Sequence, residues 1–478
     1  MANLLASLLS GTGTMDAFSR VLSVVQNNVA NASTPGFANQ ELDLYALPFS
    51  SEGGSTGGAR VGRIISTRDE YSEQAVRRQL TGQGGAAQTA SSLAAIEAGF
   101  DIGSDVGLSS AMSRLFESFS AWSVDSNNAL ARQNVLNQAA GLARAFRKVA
   151  LDVSDTRHDT ESQIQGTVGE INQLASRMRG LNAEARMGNK DDPSVDARMH
   201  ATLDELAKLV EITAARSDDG TYTVLLAGQA LLVTGDRQFD LSAGYSQPAD
   251  PPPVYESGPP YVAVSDASGR DITAVATGGK LGALLDMRNR VIPTLLGDAY
   301  QLGDLNRLAK DLADRVNSIL ASGNITDGPP AEAGLALFGY DLTGDTNVAI
   351  SLTVDPAINT GSLAAIDPGP PYVSNGIPLR LAALASRQGG GEIDGFSYAE
   401  FYGNITSRVG TELSTARQSA DYQAQAAIQA QEIRKQLSGV SLDQEAALLV
   451  EFQRAYQANA RFVTAIDQLT QEVLNLLK

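Results

Sequence analysis

The residues from Gly82 to Ala87, Gly-Gln-Gly-Gly-Ala-Ala, fit the G-x-G-x-x-A pattern of a dinucleotide-binding turn, and Asp101 follows about twenty residues later, where such sites place a ribose ligand. That chemistry needs a strand before the glycines and a βαβ unit around them, whereas Glu73 to Leu80 carry a helical pattern. The segment therefore reads as a flexible turn between helices. Gly53-Gly54-Ser55-Thr56-Gly57 fits G-x-S-x-G, but a nucleophile elbow sits between a buried strand and a helix and needs a triad histidine. Within the Gly/Ser-rich stretch Ser50 to Gly58 it reads as part of a mobile loop. His158, in Asp155-Thr156-Arg157-His158-Asp159, and His200, on a polar helical position beside Asp204, have no H-x-x-x-H partner and read as solvated surface side chains. The acidic groups Asp191, Asp192 and Asp196, and Asp341 and Asp345, lack the alternating ligands and closing Glu of a calcium loop, and suit helix starts and turns. Cysteine is absent, which removes thiol nucleophiles, disulfides and Cys-based zinc sites. No catalytic, cofactor-binding or metal-binding residue is expected.

The composition points the same way. At 478 residues, and roughly 150 per domain, the chain is long enough for about three domains. A formal charge of −18 disfavours phosphate backbones and anionic lipid surfaces, so neither nucleic acid nor membrane is an expected partner. The 6% aromatic content suits Ala-rich helices better than a sandwich core. No run approaches the ~18 apolar residues of a membrane span. Met1 to Ser10 lacks a cationic n-region and a cleavage site, so the general secretory route is not expected.

Two elements stand out as organisers. Leu4, Leu8, Gly11, Met15, Phe18, Leu22, Val25 and Val29 alternate at spacings of four and three, an a/d seam along an N-terminal helix that Asn31 to Phe37 should stop. At the other end Leu442, Leu449, Tyr456, Val463, Thr470 and Leu477 recur every seven residues, with Phe452, Ile466 and Val473 offset by three. Each seam is too narrow to be self-sufficient, which predicts association with other helices or other subunits. Between them, about Asp69 to Ala214 reads as a helical bundle, and helix returns at Leu281 to Ala321 and Tyr398 to Lys478, broken at Leu437 to Ser441. Strands are expected at Thr221 to Leu226 and Ala230 to Val233, turning near Gly228, and at Tyr261 to Ser265, Asp271 to Val275 and Thr346 to Val354. The expected fold class is mainly α, with terminal heptad helices pairing as a coiled coil, a central long-helix bundle and small β-rich inserted regions. The expected divisions are a terminal coiled-coil domain at 1–60 and 440–478, a helical bundle at 61–217, 278–321 and 379–439, a small β subdomain at 218–277 and an irregular β-leaning outer region at 322–378.

Asn27-Asn28-Val29-Ala30-Asn31-Ala32-Ser33-Thr34-Pro35-Gly36-Phe37 resembles the signature shared by bacterial flagellar rod, hook and hook-associated proteins, through Asn28, Asn31, Pro35 and Gly36. Phe452 to Ala460 resembles the C-terminal helix motif of the same superfamily, through Gln453, Arg454, Tyr456 and Asn459. Ser438 to Ala446 after a long helix, the helical middle, and Gly282 to Asn317 together resemble the hook-associated protein 1 family over nearly the whole chain. The outer part, at Ala249 to Pro260 and Ser322 to Pro378, is short for that family.

The resemblance implies a structural component of the bacterial flagellum, not an enzyme, that joins hook to filament as an adaptor lattice. It implies export unfolded through the flagellar type III apparatus, and a secreted, extracellular location at the hook-filament junction. The implied partners are further copies in a helical or ring-like axial assembly, hook protein on one side, a second junction protein (hook-associated protein 3) on the other, and an export chaperone, with no cofactor. Assembly would rest on Leu4, Leu8, Met15, Phe18, Leu22, Val25, Val29, Leu442, Leu449, Phe452, Tyr456, Val463, Ile466, Val473 and Leu477, unpaired in the monomer and ordered on neighbouring subunits. A hook or distal rod protein would instead carry a mostly β middle. A wall-degrading enzyme fused to an axial protein would need a cleft with paired carboxylates. A secreted coiled-coil effector or adhesin would not need motifs at both ends.

Overall fold

The computed structural model describes residues 2–50, 55–100, 107–189, 192–246, 251–256, 258–328 and 330–476. Its helices are α1 (Ala2–Asn31), α2 (Glu70–Gly99), α3 (Leu108–Val124), α4 (Ala129–Glu184), α5 (Pro193–Leu209), α6 (Gly279–Asp286), α7 (Ile292–Leu296), α8 (Asp304–Ala321), α9 (Val348–Ser351), α10 (Gly376–Ala383), α11 (Tyr398–Ser438) and α12 (Leu442–Leu476). The strands are short: β1 (Gln40–Ala46), β2 (Phe49–Ser50), β3 (Ser55–Thr56), β4 (Ala59–Ser66), β5 (Ile212–Arg216), β6 (Tyr222–Leu226), β7 (Ala230–Thr234), β8 (Arg237–Gln238), β9 (Ser242–Ser246), β10 (Tyr261–Ser265), β11 (Phe338–Gly339), β12 (Thr353–Val354), β13 (Glu392–Ile393) and β14 (Phe396–Ser397). The fold is mainly α with small antiparallel sheets, as the helical spacing predicts. The chain divides into two compact units, one of residues 1–81, 172–239 and 424–478, the other of 82–171 and 240–423.

The first unit is built, among the described residues, from helices and three small sheets. β1 and β4 form an antiparallel ribbon, Gln40 opposite Ser66, with a bulge between Leu42 and Leu44, and β2 and β3 continue it. β5, β6, β7 and β8 form a four-stranded antiparallel meander. Along β6, Tyr222, Val224 and Leu226 are buried and the residues between them are not, the period of two that packs one face of a sheet. The β6 to β7 turn places Ala227 (φ 46°) and Gly228 (φ 69°) in the left-handed region, and a glycine tolerates this freely. Asn182 of α4 pins this sheet, donating to the carbonyls of Tyr222 (2.8 Å) and Gly235 (2.9 Å) and accepting from the Tyr222 N–H (2.8 Å). Asp192 caps α5 by accepting from the Ser194 N–H at 2.8 Å, with Pro193 at the first helical position.

The second unit holds the larger apolar core. Leu115, Phe119 and Trp122 of α3, Val135, Phe146 and Val153 of α4, Leu308, Leu312 and Val316 of α8 and Ile405 and Leu413 of α11 are all buried in one cluster. Phe116 stacks on Tyr398 at 6.3 Å and 7°. The Trp122 indole N–H donates to the Ser126 carbonyl (3.1 Å), and the Arg132 guanidinium lies 5.9 Å from its ring centre. One buried cation, Arg288, is matched by Glu161 and by the Pro260 carbonyl at 2.9 Å. Burial pushes the Glu161 carboxyl up, but its hydrogen bonds from Tyr245 and Arg288 and the charges of Arg288 and Arg157 outweigh this and hold it below its usual range.

Several local expectations are overturned. Gly82 to Ala87 lie inside the continuous helix α2, so no turn exists there. Asp271 to Val275 is not a strand; Asp271 makes a single bridge to Ser265. Thr346 to Val354 winds through a 3-10 turn and α9 before the two-residue β12, because Thr346, Ala349 and Leu352 are buried at helical rather than alternating spacing. The helical pattern expected to Ala214 ends at Leu209, where Val210 turns extended and β5 begins. The stretch from Leu281 to Ala321 is interrupted between α7 and α8, where Gly297 (φ 82°) and Gly303 (φ 78°) adopt left-handed backbone. Within the segment Ser50 to Gly58, Ser50 pairs with Ser55 and Thr56 with Phe49 as strands; residues 51–54 lie outside the described residues.

Candidate assembly interface

α1 and α12 pack side by side in the first unit. The pairing is antiparallel: Gly11 meets Asn459, Phe18 meets Phe452 seven residues further along α1 and seven back along α12, and Asn28 meets Glu445 near the end of α1. The aromatic rings of Phe18 and Phe452 lie 5.8 Å apart. Asn459 donates to the Gly11 carbonyl at 2.7 Å, and a Cβ on Gly11 would come within 2.8 Å of Val463 Cγ2, so glycine is what permits this approach. The two ends are thus paired within one chain, which corrects the expectation that each stripe is unpaired in the monomer.

The predicted seam residues divide. Val25 and Ile466 are buried; Leu4, Leu8, Met15, Phe18, Leu22, Leu449, Phe452, Tyr456, Val463 and Val473 are partly buried. Val29 is 42% and Leu442 55% exposed, so neither belongs to the seam, and Leu477 lies outside the described residues. The reason is that α1 packs against the β1–β4 ribbon as well as α12. Its buried stripe therefore runs through Ala17, Val21, Val25 and Asn28, wider than an a/d row. Leu442 is the first residue of α12, beyond the end of α1, and the buried residue of that turn is Glu445. Ala17, Val21 and Glu445 escape a reading that counts only fours and threes from Leu4 and sevens from Leu442.

The motif residues have structural work. Asn28 clasps Gln40 with two bonds, Nδ2 to the Gln40 carbonyl (2.9 Å) and Oδ1 from the Gln40 N–H (3.1 Å), closing the chain reversal between α1 and β1. Asn31 bonds back to Asn27 and accepts from Thr34 Oγ1 at 3.1 Å, shaping the turn that carries Pro35. Gly36 has φ 75°, and a Cβ there would stand 2.3 Å from the Ala197 carbonyl oxygen of α5. Gln453 and Arg454 are exposed, and Tyr456 is partly buried. Glu445 has Oε2 without a hydrogen-bond partner. Burial pushes its carboxyl up, Asn28 pulls the other way, and Glu41 adds to the rise.

Beneath the Gly36 turn lies a buried charged cluster that no sequence pattern announces. Arg68 bonds to Glu73, to Asp196 (2.8 Å) and to the Gly36 carbonyl (2.6 Å). Arg434 of α11 reaches Asp204 (2.7 Å) and Glu73 (3.1 Å). His200, read from sequence as a solvated surface residue, is 0% exposed at the centre of this cluster. The polar positions around it on α5 are polar because they face other charges, not water. Burial pushes the Glu73 carboxyl up, but its contact with His200, then the charges of Arg68 and Arg434, hold it far below the usual carboxylate range. His158 is exposed, 3.6 Å from Glu161. Among the described residues no group of three His, Asp or Glu side chains could hold a metal ion, and no helix is long and apolar enough to cross a membrane.

The sequence model described as flagellar hook-associated protein FlgK helical domain matches residues 93–338, more than half of the chain. The chain belongs to the FlgK family of flagellar hook-associated proteins. The two paired helices match separate models of the axial proteins: flagella basal body rod protein at residues 8–37, and flagellar basal body rod FlgEFG protein C-terminal at 436–476. Flagellar hook-associated protein 1 of Bacillus subtilis (strain 168) is 23% identical over 497 residues, covering 96% of each chain. That of Escherichia coli (strain K12) is 21% identical over 562 residues and covers both chains fully. The flagellar hook junction protein FlgK from Burkholderia pseudomallei shares the fold, with a TM-score of 0.63 at 13% identity, covering 77% of this chain and 100% of that one.

Proposed function

We propose that this FlgK-family protein is a structural component of the bacterial flagellum that joins hook to filament, an adaptor lattice on which filament assembly begins. The observation that carries the reading is the combination of a FlgK helical domain with rod-type helices at both ends, brought together as an antiparallel pair. A surface for neighbours exists: Leu5, Leu9, Phe462 and Leu469 on the terminal helices and Phe49 at the ribbon end are more than half exposed. Burying such side chains against further copies is worth about 1.5–3 kcal/mol each when complete, so many weak contacts can sum to a stable lattice. The partners we assign are copies of this chain, hook protein on one side, hook-associated protein 3 on the other and an export chaperone, with the assembled protein outside the cell. The role needs packing surfaces and no catalysis.

Deletion of the gene tests this. An adaptor is needed only for what lies beyond it, so electron micrographs should show complete bare hooks, with filament protein shed into the medium. Absent hooks would make the protein a hook or rod subunit, and normal filaments would overturn the axial reading altogether.

A further inference from the structure

His200 is a titratable group that assembly through the terminal helices does not use, yet segments distant in the chain converge on it. On α2, Arg77 Nη2 lies 2.8 Å from His200 Nδ1, and Glu73 Oε2 lies 3.4 Å from the same atom. On β6, Tyr222 Oη lies 2.9 Å from Nε2. On its own helix, Asp196 lies 3.8 Å from Nε2, and Asp204 pairs with Arg434 of α11. Arg216 of β5 sits 3.1 Å from Asp196, and Arg68 also joins that carboxylate.

A guanidinium can only donate, so while Arg77 holds Nδ1 that nitrogen must be an unprotonated acceptor, and the ring proton sits on Nε2 facing Tyr222. A second proton, on Nδ1, would set two donors 2.8 Å apart and break the Arg77 bond. It would also turn the ring toward Glu73 and compete with Arg434 and Arg68 for that carboxylate. Arg68, Arg77, Arg216 and Arg434 face Glu73, Asp196 and Asp204 here, with Glu70 acting on Tyr222, so the added charge enters a largely buried site where Glu73, Asp196 and Asp204 are each already shared between guanidinium groups.

The consequence falls on residues 424–438 of α11. Their apolar anchorage in the first unit is slight, Ala427 against Val76, Leu80 and Ala207 with Ala430 alongside, so polar contacts hold the rest: the ion pairs of Arg434, and Ser438, which accepts from the Asn39 N–H at 2.8 Å and from the Asp69 N–H at 3.0 Å. The second unit has its own extensive apolar core with no such dependence.

We propose that the His200-centred cluster is an acid-released lock, in which protonation of the imidazole loosens the hold of the first unit on residues 424–438 while the second unit stays folded. This places a proton-sensitive joint immediately before α12.

The test uses the full-length chain and hydrogen exchange, corrected for the intrinsic pH dependence, between about pH 8 and pH 5, the range in which imidazole titrates. Amides of α5 and of 424–438 should lose protection at least about tenfold, the equivalent of one pH unit of linkage, while those of α8 do not. His200→Gln, which accepts and donates but cannot gain a proton there, should flatten this dependence. Equal acid sensitivity in His200→Gln folded at pH 8, or simultaneous loss in α8, would overturn the lock. Should His200→Gln fail to fold, imidazole proton resonances decide in the unaltered protein, with exposed His158 as the internal reference. Titration of His200 in step with the loss of protection supports the lock, and opening while His200 remains neutral refutes it.

Discussion

Replacing Gly36 by alanine should loosen the first unit by about 2–5 kcal/mol. The residue sits at φ 75°, a conformation that costs an L side chain roughly 1–2 kcal/mol. Its Cβ would stand 2.3 Å from the Ala197 carbonyl oxygen and 3.0 Å from the Ala201 nitrogen, both backbone atoms of α5 that cannot swing aside. Shifting packed backbone to relieve such overlap typically costs another 1–3 kcal/mol. The shift would also drag the Gly36 carbonyl from Arg68. Two further glycines calibrate the reasoning. At Gly13 of α1 an added Cβ meets nothing within 4 Å, so Gly13→Ala should stabilise by roughly 0.5–1 kcal/mol through helix propensity alone. At Gly11 the Cβ would meet Val463 Cγ2 at 2.8 Å, a side chain with limited freedom to turn, so Gly11→Ala should cost about 1–3 kcal/mol. Hydrogen exchange localised to α5 and β1 is the assay, because each 1.4 kcal/mol of lost local stability speeds exchange about tenfold. Gly36→Ala within about 0.5 kcal/mol of the parent, or Gly13→Ala as damaging as Gly36→Ala, would refute the geometry argued for the turn.

Glu445 has its carboxyl pushed up, so its contribution to stability is whole below the unfolded carboxyl range and is lost as pH rises through the raised value. Glu445→Gln should therefore be the more stable protein at neutral pH and lose that dependence, read from protection of α12 as a function of pH; a less stable Gln variant at neutral pH would show that the charge is useful. Asn28→Ala leaves the Gln40 N–H and carbonyl without their side-chain partners in a buried turn, and should cost about 2–4 kcal/mol in urea titrations followed at the first unit. Val463→Asp sets a carboxylate against Gly11 in the α1–α12 seam and should cost about 2–4 kcal/mol there, leave the thermal transition of the second unit unchanged in calorimetry, and exclude the variant from isolated flagellar hooks.

What the amino-acid order determines by itself is periodicity and local chemistry. Sevens along Leu449, Tyr456 and Val463 mark one face of α12 because a helix returns to the same side every two turns, whatever surrounds it. Tyr261 to Ser265 and the hairpin from Tyr222 to Thr234 were legible because β-branched residues between turn formers suit extended chain. Asp192-Pro193 announces the start of α5 for the same local reason. Thr346 to Val354 shows the limit, since residues rich in Thr, Val and Ile took a helical turn once Asn306 accepted the Ala349 N–H at 2.9 Å and donated to the Thr346 carbonyl at 2.8 Å. Only the tertiary structure decided that Val29 and Leu442 face water and Ala17 and Val21 do not, because burial depends on the ribbon and helix that arrive from elsewhere in the chain. It decided His200 in the same way. A histidine among polar residues on a helix looks solvated in one dimension, but Arg68, Glu73, Tyr222 and Arg434 come from remote positions, and the energy of a buried charge is set by which partners stand within a few ångströms, a property that no spacing along the chain encodes.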